Sequence, residues 1–204
     1  ISVAMGAEST TERRFNWNTH PSVDDTVVEL VKTEEFSSFD ADNVMEYTGT
    51  NYSYNTTLDG TIRVHKVSAD DLEPGTSYTY RVGDGKEYYS ETGTFKTAPA
   101  NSNETKFLVF GDSQAGSLET YQLWGNTVDT AFNHYPDSEF IIHLGDMVDH
   151  GHNEKQWNWW FETAQEHLLN TTTQTVVGNH EVAGTRMNED YLAHYNNPSS
   201  DYFG

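Results

Sequence analysis

Three short segments of this chain end in residues that can hold a cation. Lys106–Asp112 reads KFLVFGD, Glu139–Asp146 reads EFIIHLGD, and Thr173–His180 reads TQTVVGNH. Each is an apolar or β-branched run stopped by glycine. A carboxylate follows in the first two, and an amide and an imidazole in the third. A loop needs only turn residues at such places. Asp112, Asp146, Asn179 and His180 together make a donor set, and oxygen and imidazole ligands suit Mn, Fe, Zn or a similar ion. Without a cation, two converging carboxylates repel and one takes up a proton. Two metals sharing one carboxylate as a bridge form an arrangement that hydrolyses phosphate esters, with bound water becoming hydroxide near neutral pH. A lone strand-terminal Gly-Asp is usually a turn, and a lone histidine is usually structural. The ordered triple, spaced by helix-sized gaps, carries the reading.

The elements around these tips follow from the pattern. A helix is expected from about 117 to 132, with Leu118, Tyr121, Val128 and Phe132 on one broad face. A second helix is expected to start at Asn153, with Gln156 as its capping-box partner. Trp157, Trp160, Phe161, Ala164 and Leu168 form its buried stripe. The third strand is expected to run, buried, to Asn179. Strand, helix, strand, helix, strand is an α/β pattern with parallel strands. The carboxyl ends of such strands share one edge, and ligands sit beyond it. Each glycine lets the backbone turn sharply and keeps the space above the strand open.

Residues 1–98 follow a different grammar. TVVELVK (Thr26–Lys32), TIRVHKVS (Thr61–Ser68) and TSYTYRVGDG (Thr76–Gly85) are β-rich, partly alternating and bounded by turn residues. Several such strands predict a small sandwich. In DLEPGTSYTYRV, Leu72 plugs the core end, Pro74-Gly75 turns, and Tyr78 and Tyr80 share a face. Together with Trp17 in RRFNWNT, this resembles a fibronectin type III-like domain. TAPANSNET (Thr97–Thr105) is small and polar and contains Pro99, so residues 99–105 read as a linker and 106–204 as a second domain.

Composition bounds the partners. The formal charge is −21 over 204 residues, which disfavours phosphate backbones and therefore nucleic acid. A phosphate-bearing substrate needs a local reversal of sign, which a metal pair supplies. With no cysteine, thiolate metal sites are excluded. No run of eighteen or more apolar residues predicts a transmembrane helix. Sequons occur at Asn51, Asn55, Asn103 and Asn170, at a frequency chance explains equally well. The Asn, Thr and Tyr richness hints at an extracellular, secreted or wall-associated protein.

GDSQAG, GDMVDHG and GNHE resemble the first three signature blocks of the calcineurin-like metallophosphoesterase superfamily. The sandwich in front makes the chain look most like the purple-acid-phosphatase-type branch. The resemblance implies an αββα catalytic domain and an acid-phosphatase-like phosphomonoesterase using two divalent or mixed-valence metal ions. It implies that Asp112 binds the first metal, Asp146 bridges both, and Asn179 binds the second. His180 would stabilise the transition state or protonate the leaving oxygen.

Departures from the family pattern matter. Asp149 stands where purple members carry a metal-bound tyrosine, so an iron tyrosinate colour is not expected. Gln114 stands where one branch has histidine, and a role supporting the ligands is expected for Gln114 and Asp149. His150 and His152 are either orienting residues or solvated loop, and His143 is expected to be structural. After His180 only His194 remains, and neither later histidine block of the family is present. The chain is therefore expected to be the front portion of a longer enzyme, retaining metal poorly and having little or no activity by itself. A phosphodiesterase or 5′-nucleotidase is the alternative within the class. A non-catalytic cell-wall binding module, using Tyr52, Tyr54, Tyr88 and Tyr89, is the alternative outside it.

Overall fold

The computed structural model describes residues 1–182 and 188–198. Two four-stranded antiparallel sheets face each other in the first half. One runs β1 (Ser2–Met5), β2 (Arg13–Thr19), β6 (Thr61–Ala69), β5 (Thr50–Asn55). The other runs β4 (Met45–Thr48), β3 (Val27–Lys32), β7 (Ser77–Gly83), β8 (Gly93–Lys96). The period of two puts Tyr78, Tyr80 and Val82 on the inner face of β7, against Phe15 and Phe95. Phe15 lies 5.2 Å from Tyr80 and 5.8 Å from Phe95, ring to ring. Leu72 closes one end of this core, as expected.

The second half holds a parallel sheet in the order β11 (Thr172–Thr175), β10 (Phe140–His143), β9 (Phe107–Phe110). Helix α1 (Leu118–His134) connects β9 to β10. Helices α2 (Glu154–Thr163) and α3 (Gln165–Leu168) connect β10 to β11. The chain follows the expected order: an all-β domain, then an α/β domain built on a parallel sheet. Trp124 of α1 stacks on Trp160 of α2 at 5.1 Å and donates its indole N–H to the Trp160 carbonyl. No helix among the described residues is long and apolar enough to cross a membrane.

Four local expectations are corrected. Leu118 opens α1 beyond the edge of the core and is 38% exposed; Trp124 takes the place assigned to it. Phe161 is only partly buried, at the rim of its stripe. Asn153 occupies the N-cap of α2 without a side-chain bond, and no capping box forms: the Asn153 N–H donates to the His150 carbonyl at 2.9 Å, and Gln156 Oε1 accepts the His150 N–H at 2.8 Å. The third strand stops at Thr175, opposite His143, the last residue of β10. Val176 makes one more bond, to the His143 carbonyl, before β10 turns away at Gly145. With no neighbour left to pair, Val176 and Val177 are 51% and 41% exposed.

One face of the parallel sheet carries the helices, against Leu108, Phe110 and Ile141. Phe107, Val109 and Leu144, on alternate positions, are exposed, and Phe107 stacks on Phe140 at 5.0 Å.

The two halves are joined by polar bonds at their seam. Tyr80 Oη donates to the Leu169 carbonyl (2.9 Å), Ser2 Oγ to that of His194 (2.8 Å), and Lys66 Nζ to that of Tyr195 (2.9 Å). Arg13 is buried and, among the described residues, pairs with no carboxylate. Its guanidinium donates to the carbonyls of Ser9, Glu12 and Lys96 and to Thr172 Oγ1 in β11. The sandwich thereby steadies the strand that leads to the third tip.

Two buried histidines make an acid-lability prediction. His65 stacks on Trp17 and bonds Thr19 and Thr26 through its two nitrogens, both at 2.8 Å. His143 sits edge-on to Trp124 and Trp160. Burial pushes both imidazoles down from 6.5 to about 4. Between those values the unfolded chain binds more protons, so stability rises with pH there and falls as pH drops from 6.5 toward 4. Each histidine is worth roughly 3 kcal/mol across that window. Urea midpoints are expected to fall steadily from pH 6.5 to 4, less steeply in His65→Gln. Equal slopes in the two proteins would contradict a neutral, buried His65.

Candidate metal centre

Asp112 and Asp146 follow the ends of β9 and β10, and both adopt the left-handed backbone conformation, with φ of 53° and 56°. An aspartate tolerates that region better than most side chains, since its short polar group can bond locally. Strained backbone that the surroundings hold in place is a pointer to function. The two tips also bond each other. Asp112 N–H donates to the Gly145 carbonyl at 3.2 Å, and Ser113 N–H to that of Asp146 at 2.9 Å.

The third tip closes onto the second. His180 N–H donates to Asp146 Oδ1 at 2.9 Å. Gly178 lies so close to Asp146 that a side chain there has no room. Asn179, exposed, stands between these two contacts. His180 Nδ1 donates to the Asp149 carbonyl at 2.8 Å and lies 3.4 Å from its carboxylate. That carbonyl, then the Asp146 and Asp149 charges, raise the His180 imidazole above its ordinary value. His150 Nδ1 is 3.1 Å from the other Asp149 oxygen. His194 is turned away into a buried pair with Glu154 (3.1 Å), stacked on Trp157.

Beneath the first tip, Ser113 Oγ accepts the Trp160 indole N–H at 2.8 Å and bonds His143 Nε2 at 2.9 Å. This bracket fixes the backbone just after Asp112. Gln114 Oε1 is buried without a partner among the described residues. A groove of about 440 Å³ runs past Asp112 between β9 and α1, lined in part by Gln114, Thr120, Leu123 and Trp124.

Sequence reasoning passed over two residues here. Ser113 gave no sign beyond following Gly-Asp. Glu181 stood in GNHE in plain view, yet nothing in its spacing shows that its carboxylate folds back onto the backbone of tips two and three.

The donor chemistry suits a cation. Neither Asp112 nor Asp146 is ion-paired among the described residues, and the Asp112 carboxylate takes no hydrogen bond there; a bound cation would offset that charge. The set is small: among the described residues no group of three or more His, Cys, Asp or Glu is arranged to hold a metal ion.

Parallel strands whose tips present Gly-Asp, Gly-Asp and Gly-Asn-His, behind an antiparallel sandwich, define a metallophosphoesterase-type architecture. Comparison with known proteins bears this out. Residues 1–97 match the family model described as purple acid phosphatase, N-terminal domain, and residues 105–204 match calcineurin-like phosphoesterase. Together the two models match nearly the whole chain, as a calcineurin-like phosphoesterase preceded by a purple-acid-phosphatase N-terminal domain; that family is one of dinuclear metal-dependent phosphoesterases. It is 29% identical over 133 residues to a protein of Arabidopsis thaliana named probable inactive purple acid phosphatase 27, covering 58% of this chain and 21% of that one. The solved structure of purple acid phosphatase PPD1 from yellow lupin (Lupinus luteus) seeds superposes with a TM-score of 0.71 at 17% identity. That match covers 95% of this chain and 38% of the lupin chain, and it speaks to the fold.

Proposed function

We propose that this chain is the front portion of a metal-dependent phosphoric ester hydrolase of the acid-phosphatase type, acting on phosphomonoesters. The observation that carries the reading is the pair of left-handed aspartates on neighbouring tips, with His180 bonded to the second. Asp112 would hold the first metal, Asp146 would bridge, and Asn179 would hold the second through its amide oxygen. When bound, such a pair supplies Lewis acidity and an activated water. The identity of the metals, whether Fe, Mn, Zn or another, is left to measurement.

The chain's own residues supply the rest. The Asp149 carbonyl holds His180 by Nδ1, which leaves Nε2 to give its proton to the leaving oxygen. That carbonyl bond favours the protonated imidazole, the form a general acid needs. Gln114 and Asp149 act behind the ligands. The exposed sheet face of Phe107, Val109 and Leu144 is where further chain of a full-length protein would pack, bringing the remaining histidine ligands. The share of the relatives' length spanned, 21% and 38%, supports this. The sandwich, read as fibronectin type III-like, braces β11, and the protein is read as secreted or wall-associated.

The test uses the full-length protein. Inductively coupled plasma analysis is expected to find bound transition metal, and p-nitrophenyl phosphate is expected to turn over faster than bis-p-nitrophenyl phosphate. The reverse preference would favour a phosphodiesterase. No metal and no turnover of either ester would overturn the proposal and favour a non-catalytic role.

A further inference from the structure

Glu181 is 1% exposed, and among the described residues it has no cationic partner. A buried carboxylate of this kind must be satisfied by donors. Here four backbone N–H groups do so. Oε2 accepts from Asp146 (2.8 Å) and Gly178 (2.7 Å); Oε1 accepts from Met147 (2.7 Å) and Val148 (3.1 Å). Converging N–H groups of this sort form an anion nest. The nest is built from two separate tips, and its donors include the residue whose side chain is the candidate bridging ligand. Gly151 has no Cβ, which lets the Glu181 backbone approach; its N–H donates to the His180 carbonyl at 3.1 Å.

We infer that Glu181 is a positioning residue. Its carboxylate acts as a latch that holds Asp146 in its left-handed conformation and ties the Gly178-Asn179 turn to it, so that both donors face one cation. This rests on the metallophosphoesterase reading above. The physical logic is specific. Left-handed backbone at a residue with a Cβ is unfavourable unless the surroundings hold it. The three consecutive N–H groups of Asp146, Met147 and Val148 are captured by one anion, which fixes the turn at that place. Glutamine has the same shape, but its amide nitrogen would face donor N–H groups, so Glu181→Gln leaves part of the nest unpaired.

The test uses the 204-residue chain, isotope-labelled, with and without Mn²⁺. In the metal-free chain, Glu181→Gln is expected to move the amide proton signals of Asp146, Met147, Val148 and Gly178 and to speed their hydrogen exchange. Paramagnetic broadening of the tip amides by Mn²⁺ is expected to need at least about tenfold more metal than in the unmutated chain. Glu181→Asp, which keeps the charge on a shorter arm, is expected to recover part of both effects. Val128→Ala, a core truncation in α1 away from the tips, gives a control of lowered stability without a broken latch. Unchanged amide signals in Glu181→Gln would overturn the inference. So would a loss of Mn²⁺ response no larger than in Val128→Ala. If the unmutated chain itself shows no broadening at the tips, the latch's role toward metal falls for this chain, while the metal reading is decided by the metal content of the full-length protein. The amide signals then still decide whether the latch holds the backbone.

Discussion

Asp146→Asn in the full-length protein is expected to lower phosphatase turnover by about a thousandfold, equivalent to about 4 kcal/mol of transition-state stabilisation. Metal content is expected to fall with it. Asparagine is the informative substitution because the backbone at Asp146 is left-handed, with φ of 56°. Asparagine accepts that conformation about as readily as aspartate, whereas alanine would add strain of its own. The amide oxygen can also still accept the His180 N–H, as Asp146 Oδ1 does now. The variant therefore removes a charge and little else. Without metal, its thermal midpoint is expected to match or slightly exceed that of the parent, since one of two neighbouring like charges is gone. With metal, the parent gains stability by mass action and the variant does not. Measuring turnover, metal content and the midpoint in both states separates lost chemistry from lost folding. Full turnover in a variant with normal metal content would remove Asp146 from the bridging role.

The parts of this molecule that were readable from residues alone are those written in periodicity and punctuation. FLVF, FIIH and TTQT, each followed within a few residues by glycine, marked the parallel strands and their order of tips. The alternation of Tyr78 and Tyr80 marked the inner face of β7. The unreadable parts depend on neighbours distant in sequence. Val176 and Val177 have strong β propensity, yet the ladder stops before them because β10 has already turned at Gly145. Gln156 sat three residues after Asn153 in good capping register, but the His150 N–H offered it another use. Leu118 matched the apolar face of α1 by count, while the depth of the core chose Trp124. Within the candidate site, the residue types of the tips were legible. The left-handed backbone at both aspartates was not, because aspartate after glycine is compatible with many turns. Glu181 was hidden for a related reason: a side chain satisfied by backbone N–H groups leaves no partner residue in the sequence to find.

The closeness of the second and third tips leads to the other large expected effect. A Cβ built on Gly178 would fall 2.2 Å from Asp146 Oδ1 and 2.4 Å from the Asp146 backbone nitrogen, far inside van der Waals contact. The side-chain oxygen could swing away, but the backbone nitrogen is held by Glu181, so the tip itself must move. Gly145 faces the same crowding from the other side; a Cβ there would meet Gly178 N at 2.6 Å. Gly178→Ala is thus expected to destabilise the chain by about 1–3 kcal/mol, as overpacking does. Pushing the tips apart is also expected to weaken Mn²⁺ binding by at least about tenfold, since a supporting change next to ligands commonly does so. Gly116→Ala offers the contrast, in the same family of strand-end loops. A Cβ at Gly116 meets nothing within 4 Å. Loss of backbone freedom in the unfolded chain should then make it neutral or stabilising by up to about 1 kcal/mol. Urea denaturation and Mn²⁺ titration of the two variants, side by side, measure how tightly the tips must approach. Equal behaviour of Gly178→Ala and Gly116→Ala would mean that the second and third tips do not need that contact, and the shared cation pocket would lose its geometric basis.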